Sequence, residues 1–91
     1  MRNDPVYKRV YFHAVRRAMQ ENEKLMQKFM DSTAVNYDEL MLERLDTFLI
    51  KIPDNDLFDL IMGHKSPSDF KLEYDEDILV DIVKGTTIRL K

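Results

Sequence analysis

Two adjacent arginines followed by a glutamate are the residues of this chain with the clearest binding chemistry. Arg16 and Arg17 precede Glu21 in the stretch RRAMQE. Because the planar guanidinium of arginine suits carboxylates and backbone carbonyls, this stretch is a candidate edge for docking a partner protein. Arg17 and Glu21 are also i, i+4 partners on a helix, and an ion pair on a solvated face is the simpler interpretation. The spacing alone leaves both interpretations open.

Catalytic motifs are missing from the sequence. Two glycines and no cysteine exclude a glycine-rich phosphate loop and a thiolate site. His13 and Glu21 would lie about 12 Å apart along a continuous helix, too far for an acid–base pair. The carboxylates in DNDLFD lack the glycine and the distal glutamate of a calcium loop, so we expect them to favour a helix N-terminus instead. The sequence therefore favours a binding protein without catalytic residues or a metal site.

Charge is distributed unevenly along the 91 residues, whose net charge is −3. Residues 1–28 hold seven Lys/Arg against three Asp/Glu, and residues 29–91 hold seven against fourteen, so the two parts carry +4 and −7. The overall acidity argues against nucleic acid as the main ligand, because binding phosphates needs a dominant positive field. We expect no membrane span and no secretory signal, and with no cysteine present we expect a cytoplasmic protein.

Helical periodicity runs through the first half of the chain. Asp4 before Pro5 predicts the start of a first helix, whose inner face comprises Tyr7, Val10, Tyr11, Ala14 and Ala18. Its outer face is a polar stripe of Arg9, His13, Arg16 and Gln20. Asn22 predicts a break before a second helix. A linker over 31–36 follows, and Asn36 with a glutamate three residues later resembles a capping box that begins a third helix.

The second half of the chain predicts two more helices. Pro53 and Asp54 end one helix and begin the next, and Gly63 fits the left-handed position after a helix end. We predict a last helix over 73–84, closed by Gly85. The chain is then a single helical domain over 1–91, with 85–91 as a frayed tail. The predicted fold is an all-α bundle of about five short helices, with a structural core that includes Phe29, Phe48, Leu57, Phe58, Ile61 and Gly63.

The stretch RRAMQENE, followed by ERLDTFLIKIPDNDLFDLIMG, resembles the SdhE-type succinate dehydrogenase assembly factors. The pattern of that family is Arg-Gly-x-x-Glu near the end of the first helix, then an aliphatic helix, Asp-x-Asp-Leu-aromatic and a glycine. The residues that match in type and order are Arg17, Glu21, Asp54, Asp56, Leu57, Phe58 and Gly63. The resemblance covers roughly residues 8–63. Ala18 stands where the family has glycine, and Phe58 where it often has tryptophan.

The resemblance implies a chaperone-like assembly factor. Such proteins bind the flavoprotein subunit of succinate dehydrogenase, and in some bacteria that of fumarate reductase, and promote covalent attachment of FAD. FAD then belongs to the partner, so this chain binds no cofactor stably, and we expect it to act as a monomer. The docking residues that the resemblance implies are Arg16, Arg17, Ala18 and Glu21, and we expect His13, one turn earlier, to join them.

A second interpretation assigns docking to a different face of the protein. The chain is then a small helical adaptor or antitoxin-like protein, and its acidic C-terminal helices over 54–83 bind a basic partner. The first interpretation predicts docking through the basic first helix, and the second predicts docking through the acidic ones.

Overall fold

The part of the chain that the structure describes contains five α-helices and two short 3₁₀ segments. The computed structural model describes residues 2–70 and 73–86, and the side chains of Met19 and Glu21 lie outside that description. The helices are α1 (Pro5–Arg17), α2 (Met19–Ser32), α3 (Glu39–Lys51), α4 (Asp54–Met62) and α5 (Glu76–Thr86), with 3₁₀ segments at Ala34–Asn36 and Pro67–Phe70. No strand occurs in the ranges described, and the predicted all-α bundle is confirmed. None of these helices is long and apolar enough to cross a membrane.

Aspartates begin two of the helices. The Asp4 side chain accepts a hydrogen bond from the backbone N–H of Tyr7 at 3.3 Å, so the predicted start of α1 is confirmed. At α3 the Asp38 side chain accepts from the N–H of Met41 at 2.8 Å. The predicted capping box at Asn36 is therefore wrong. Asn36 instead ends a 3₁₀ turn, and that turn delays the start of α3 until Asp38 is extended.

The break between α1 and α2 lies at Ala18 and not at the predicted Asn22. The N–H of Ala18 bonds to the carbonyl of Val15 at 3.3 Å, which is 3₁₀ spacing, and Ala18 has a ψ of −9°. Asn22 lies inside α2, where it is almost fully buried and its Nδ2 has no hydrogen-bond partner among the described residues. Neither glycine nor proline marks this break, so no strong sequence signal was available.

The core is a single cluster of apolar side chains drawn from all five helices. The predicted core residues Phe29, Phe48, Leu57 and Ile61 are buried, as expected. The predicted core position of Phe58 is wrong, because this residue is only half-buried. Its ring packs against His64, with 6.0 Å between the ring centroids. The inward face of α4 is occupied by Leu57, Leu60 and Ile61, and Phe58 falls beside that face.

The two glycines differ from each other in environment. Gly63 has a φ of +80° and ends α4, which confirms the predicted left-handed cap, although it is exposed and not part of the core. Gly85 does not close the last helix, because it lies within α5 and is buried. A Cβ there would meet Cδ1 of Phe29 at 2.7 Å and its Cα at 3.1 Å. Glycine therefore allows α5 to approach α2 closely.

The C-terminal predictions are partly wrong. The last helix begins at Glu76 instead of residue 73 and extends through Thr86, so Gly85 and Thr86 are buried helix and not a frayed tail. The Thr86 hydroxyl donates to the carbonyl of Ile82 at 2.7 Å, which ties the last turn to the one before it. Residues 87–91, also predicted to fray, lie outside the described residues.

Arg44 joins α3 to the start of α5. Its Nε and Nη2 donate to the two carboxylate oxygens of Asp75, each at 2.8 Å, and Nη2 also reaches Asp77 at 3.2 Å. This bidentate geometry is typical of a strong hydrogen-bonded pair between a guanidinium and a carboxylate. The Arg44 guanidinium holds the pKa of the Asp75 carboxyl below its usual value.

The close contact at Gly85 predicts the effect of adding a single methyl group. We expect Gly85→Ala to lower the free energy of unfolding by about 1–3 kcal/mol, because the new Cβ overpacks against Phe29. Lys84→Ala, at the exposed neighbouring position, is the matched control and has almost no effect. Urea denaturation measures both changes. Equal midpoints for the two variants would mean that α2 and α5 are not closely packed here.

The pKa of Asp75 predicts a pH-dependent loss of stability. Because that pKa is lowered in the folded state, ionised Asp75 stabilises the fold at pH values above its ordinary pKa of 3.8, and this stability is lost as the pH falls through the lowered pKa. We therefore expect Asp75→Asn to unfold more easily than wild type at pH 7, with the difference closing in acid. Urea denaturation over a pH series measures the difference, with Glu76→Gln as the exposed control. A difference that persists unchanged to the acid limit contradicts the charge argument.

Candidate functional site

The helices α1 and α3 run side by side in the same direction, joined by a seam of opposite charges. Arg9 donates to Glu43 at 3.4 Å, with Asp46 3.8 Å from the same guanidinium. His13 Nδ1 lies 2.8 Å from Oδ1 of Asp46. The polar stripe predicted on the outside of α1 is thus partly used within the chain, because α3 offers carboxylates along it.

Arg17 lies at the end of this seam, where three helix ends meet. Its Nη1 and Nη2 donate to the backbone carbonyls of Leu49 and Ile52, at the C-terminal end of α3. Its Nε and Nη2 donate to Oδ1 of Asp54, in the first turn of α4, at 3.2 and 2.8 Å. Sequence reasoning missed these partners. The sequence signal that could have indicated them is Pro53. Proline has no N–H, so the Leu49 carbonyl lacks its usual helical partner.

Arg16 is exposed and takes no part in the described ion pairs of the seam. Its guanidinium lies 5.3 Å from the centre of the Phe12 ring, a cation–π arrangement, and Phe12 is 58 % exposed. Across from them, on α3, Ile50 is 75 % exposed. These residues line an open groove of about 470 Å³ between α1 and α3, which we call the α1–α3 groove; its lining is Phe12, His13, Arg16, Arg17, Leu49, Ile50 and Asp54.

The structure brings three of the five predicted docking residues to this groove, namely His13, Arg16 and Arg17. Ala18 is not among them, because it is only 1 % exposed and packs in the core, which confirms its predicted place on the inner face of the first helix; its docking role stays a prediction. The break at Ala18 places its side chain with the buried residues of α1. The Glu21 side chain lies outside the described residues, and its docking role stays a prediction.

Phe12 and Ile50 are groove residues that sequence reasoning missed. Both were detectable as large apolar residues that fall outside the buried stripe of their own helix. On α1 the buried residues are Tyr7, Val10 and Ala14, and on α3 they are Leu42, Leu45, Phe48 and Leu49. An apolar residue off that stripe has to face solvent or a partner.

The acidic C-terminal helices use many of their carboxylates within the chain. All seven aspartates between residues 54 and 81 have internal partners: Asp54 with Arg17, Asp56 with Lys65, Asp59 with His64, Asp69 with Ser66, Asp75 and Asp77 with Arg44, and Asp81 with Tyr37. Burial and the 2.5 Å hydrogen bond to Asp81 both raise the pKa of Tyr37. A basic partner would have to compete with these internal contacts.

Neighbouring residues of α3 predict which groove positions are free for binding. Ile50→Ala is expected to change the free energy of unfolding by less than about 0.5 kcal/mol, because the side chain is exposed. Leu49→Ala is the matched comparison and costs about 2–5 kcal/mol, because Leu49 is 1 % exposed. Thermal or urea unfolding of the two variants measures the contrast. Similar losses for both would mean that Ile50 is packed inside the protein.

Comparison with known proteins gives one match. Residues 8–83 match the family described as flavinator of succinate dehydrogenase, a range that includes most of α1 and most of α5. No curated protein and no solved structure matches the chain. The matched range contains every residue of the α1–α3 groove. The chain therefore belongs to the flavinator of succinate dehydrogenase family.

Proposed function

We propose that this protein docks on the flavoprotein subunit of succinate dehydrogenase through the α1–α3 groove and promotes covalent attachment of FAD to that subunit. Membership of the family supports the choice of target. The choice of this groove as the docking face rests on a trio of exposed side chains that line it, namely Phe12, Arg16 and Ile50. They provide an aromatic ring, a cation and an aliphatic group around one groove. Aromatic residues and arginine are enriched among the residues that dominate binding energy.

The energetics of this trio favour docking of a partner. Burying Phe12 or Ile50 in an interface contributes about 1.5–3 kcal/mol for each side chain. Arg16 has no carboxylate partner among the described side chains, and its guanidinium is already oriented over Phe12. An acidic side chain of the partner would therefore meet a partly preorganised cation beside an apolar surface.

The mechanism we propose is selection of a conformation. The FAD and the residue it becomes attached to both belong to the flavoprotein, and this chain supplies no catalytic group. The helper then accelerates attachment by binding the attachment-competent conformation of the flavoprotein more tightly than the others. Each tenfold gain in the population of that conformation requires about 1.4 kcal/mol of preferential binding. A monomeric state, a cytoplasmic location and action on fumarate reductase stay predictions.

The alternative adaptor function finds less support. Its docking surface would be the acidic helices, and the aspartates there are largely engaged with Arg17, Arg44, Tyr37, His64 and Lys65. Docking of a basic partner would give up those contacts.

Co-expression of the flavoprotein subunit with this protein tests the proposed function. We expect the flavoprotein to gain covalently bound FAD, scored by flavin fluorescence in a denaturing gel, only when this protein is present. At limiting helper, Arg16→Ala and Ile50→Ala are each expected to reduce that yield by about fivefold or more, as the loss of over about 1 kcal/mol of binding requires.

Matched controls separate docking from folding and from general surface properties. Lys24→Ala removes an exposed positive charge from α2, and Leu40→Ala removes an exposed aliphatic side chain from the opposite end of α3. Both are expected to support wild-type levels of covalent FAD. No gain with the wild-type protein would overturn the proposed function, and a gain insensitive to Arg16 and Ile50 would overturn the proposed docking face.

A further inference from the structure

We propose that Arg17 is a positioning residue, which clamps the corner between α3 and α4 and so sets the shape of the docking groove, instead of contacting the partner itself. This inference rests on the proposed function for its effect on docking. The clamp itself rests only on contacts within the chain.

The clamp follows from the sequence around Pro53. A helix end leaves its last carbonyls without N–H partners, and proline at position 53 removes the N–H that the Leu49 carbonyl would otherwise accept from. Leu49 and Ile52 are buried, so water is a poor substitute. Arg17 supplies donors to both carbonyls from the neighbouring helix.

Electrostatics add to this arrangement. The C-terminal end of α3 carries partial negative charge, which the guanidinium neutralises. The same guanidinium pairs with Asp54, whose carboxylate lies in the first turn of α4 and favours the positive end of that helix. One cation thus connects the end of α1, the end of α3 and the beginning of α4.

Arg17 has little left to offer a partner. A guanidinium has five N–H groups, and the side chain makes four hydrogen bonds within the chain. Only 27 % of its side chain is exposed. Arg16, by contrast, is exposed and stacks on Phe12, which leaves its guanidinium edge open to a carboxylate.

The clamp acts on the docking face through α3. Ile50 follows Leu49 directly in the last turn of α3, and Arg17 follows Arg16 directly in α1. A bond from Arg17 to the Leu49 carbonyl therefore fixes the distance between the two walls of the groove. Without that bond, the end of α3 is free to move relative to Phe12 and Arg16, and the trio loses its geometry.

Substitution of Asp54 distinguishes the clamp from direct contact. If Arg17 contacts the partner, Asp54 competes for its guanidinium, and Asp54→Asn leaves binding unchanged or tighter. If Arg17 is a clamp, Asp54→Asn loosens the corner and weakens binding in the same direction as Arg17→Ala. The two roles therefore predict different changes in affinity for the partner when the exposed Asp54 carboxylate is replaced.

The experiment is a double-mutant cycle on the full chain. The dissociation constant for the purified, FAD-loaded flavoprotein subunit is measured by calorimetry for wild type, Arg17→Ala, Asp54→Asn and the double variant, at a temperature where each is folded. We expect about tenfold weaker binding for Arg17→Ala and a smaller loss for Asp54→Asn. The double variant is expected to bind no more weakly than Arg17→Ala, because both changes break one unit.

A second cycle provides the matched control. Arg16 does not contact Asp54 in the described contacts, so the losses from Arg16→Ala and Asp54→Asn are expected to add. Asp54→Asn binding as tightly as wild type, or more tightly, overturns the inference. The Asp54 side chain is 72 % exposed, so that variant is expected to fold. It loosens the Arg17–carbonyl bonds by removing the charge that orients the guanidinium, so it decides the question even if Arg17→Ala fails to fold.

Failure of the proposed function has a different signature. If wild type does not bind the flavoprotein at all, the proposed function is wrong, and the clamp is judged on the free energies of unfolding of the same four proteins. Coupled losses from Arg17→Ala and Asp54→Asn then support the clamp. Additive losses overturn it.

Discussion

The parallel contact between α1 and α3 is the constraint on which the candidate site depends, and an arginine secures it at each end. Arg2 donates to the carbonyls of Val35 and Tyr37 before α3 begins, and Arg17 donates to those of Leu49 and Ile52 where α3 ends. Parallel neighbouring helices bring like ends of their dipoles together. At the C-terminal ends, Arg17 bonds to carbonyls of α3 that the helix leaves unpaired, whereas Arg2 holds the segment that leads into α3.

This arrangement accounts for the uneven charge of the chain. The basic N-terminal part and the acidic remainder are partly matched to each other across the fold, through Arg9 and Arg17 against carboxylates of α3 and α4. Part of the positive charge along α1 is thus structural. What remains for a partner at the groove is Arg16, together with the apolar side chains of Phe12 and Ile50.

Local physics made much of the fold predictable, and tertiary contacts made the rest unpredictable. Asp4, Pro53 and Gly63 act through their own backbone, so their roles at helix ends could be read directly from the sequence. The break at Ala18 and the burial of Gly85 depend on which helix packs against which, and periodicity carries no such information. The site was half predictable for the same reason. Its arginines were identified by type, but the partners of Arg17 lie on another helix.

The contact of Gly85 with Phe29 has a consequence for how the chain is made. Phe29 lies in α2 and Gly85 in α5, far apart in the sequence, so this contact closes a long loop and is expected to form late in folding. Helices α1 to α3 are synthesised first and can already pack together. The face of α2 that carries Phe29 then stays uncovered until α5 has left the ribosome. A protein that we propose assists the maturation of another chain thus passes through a nascent stage with an exposed apolar face of its own.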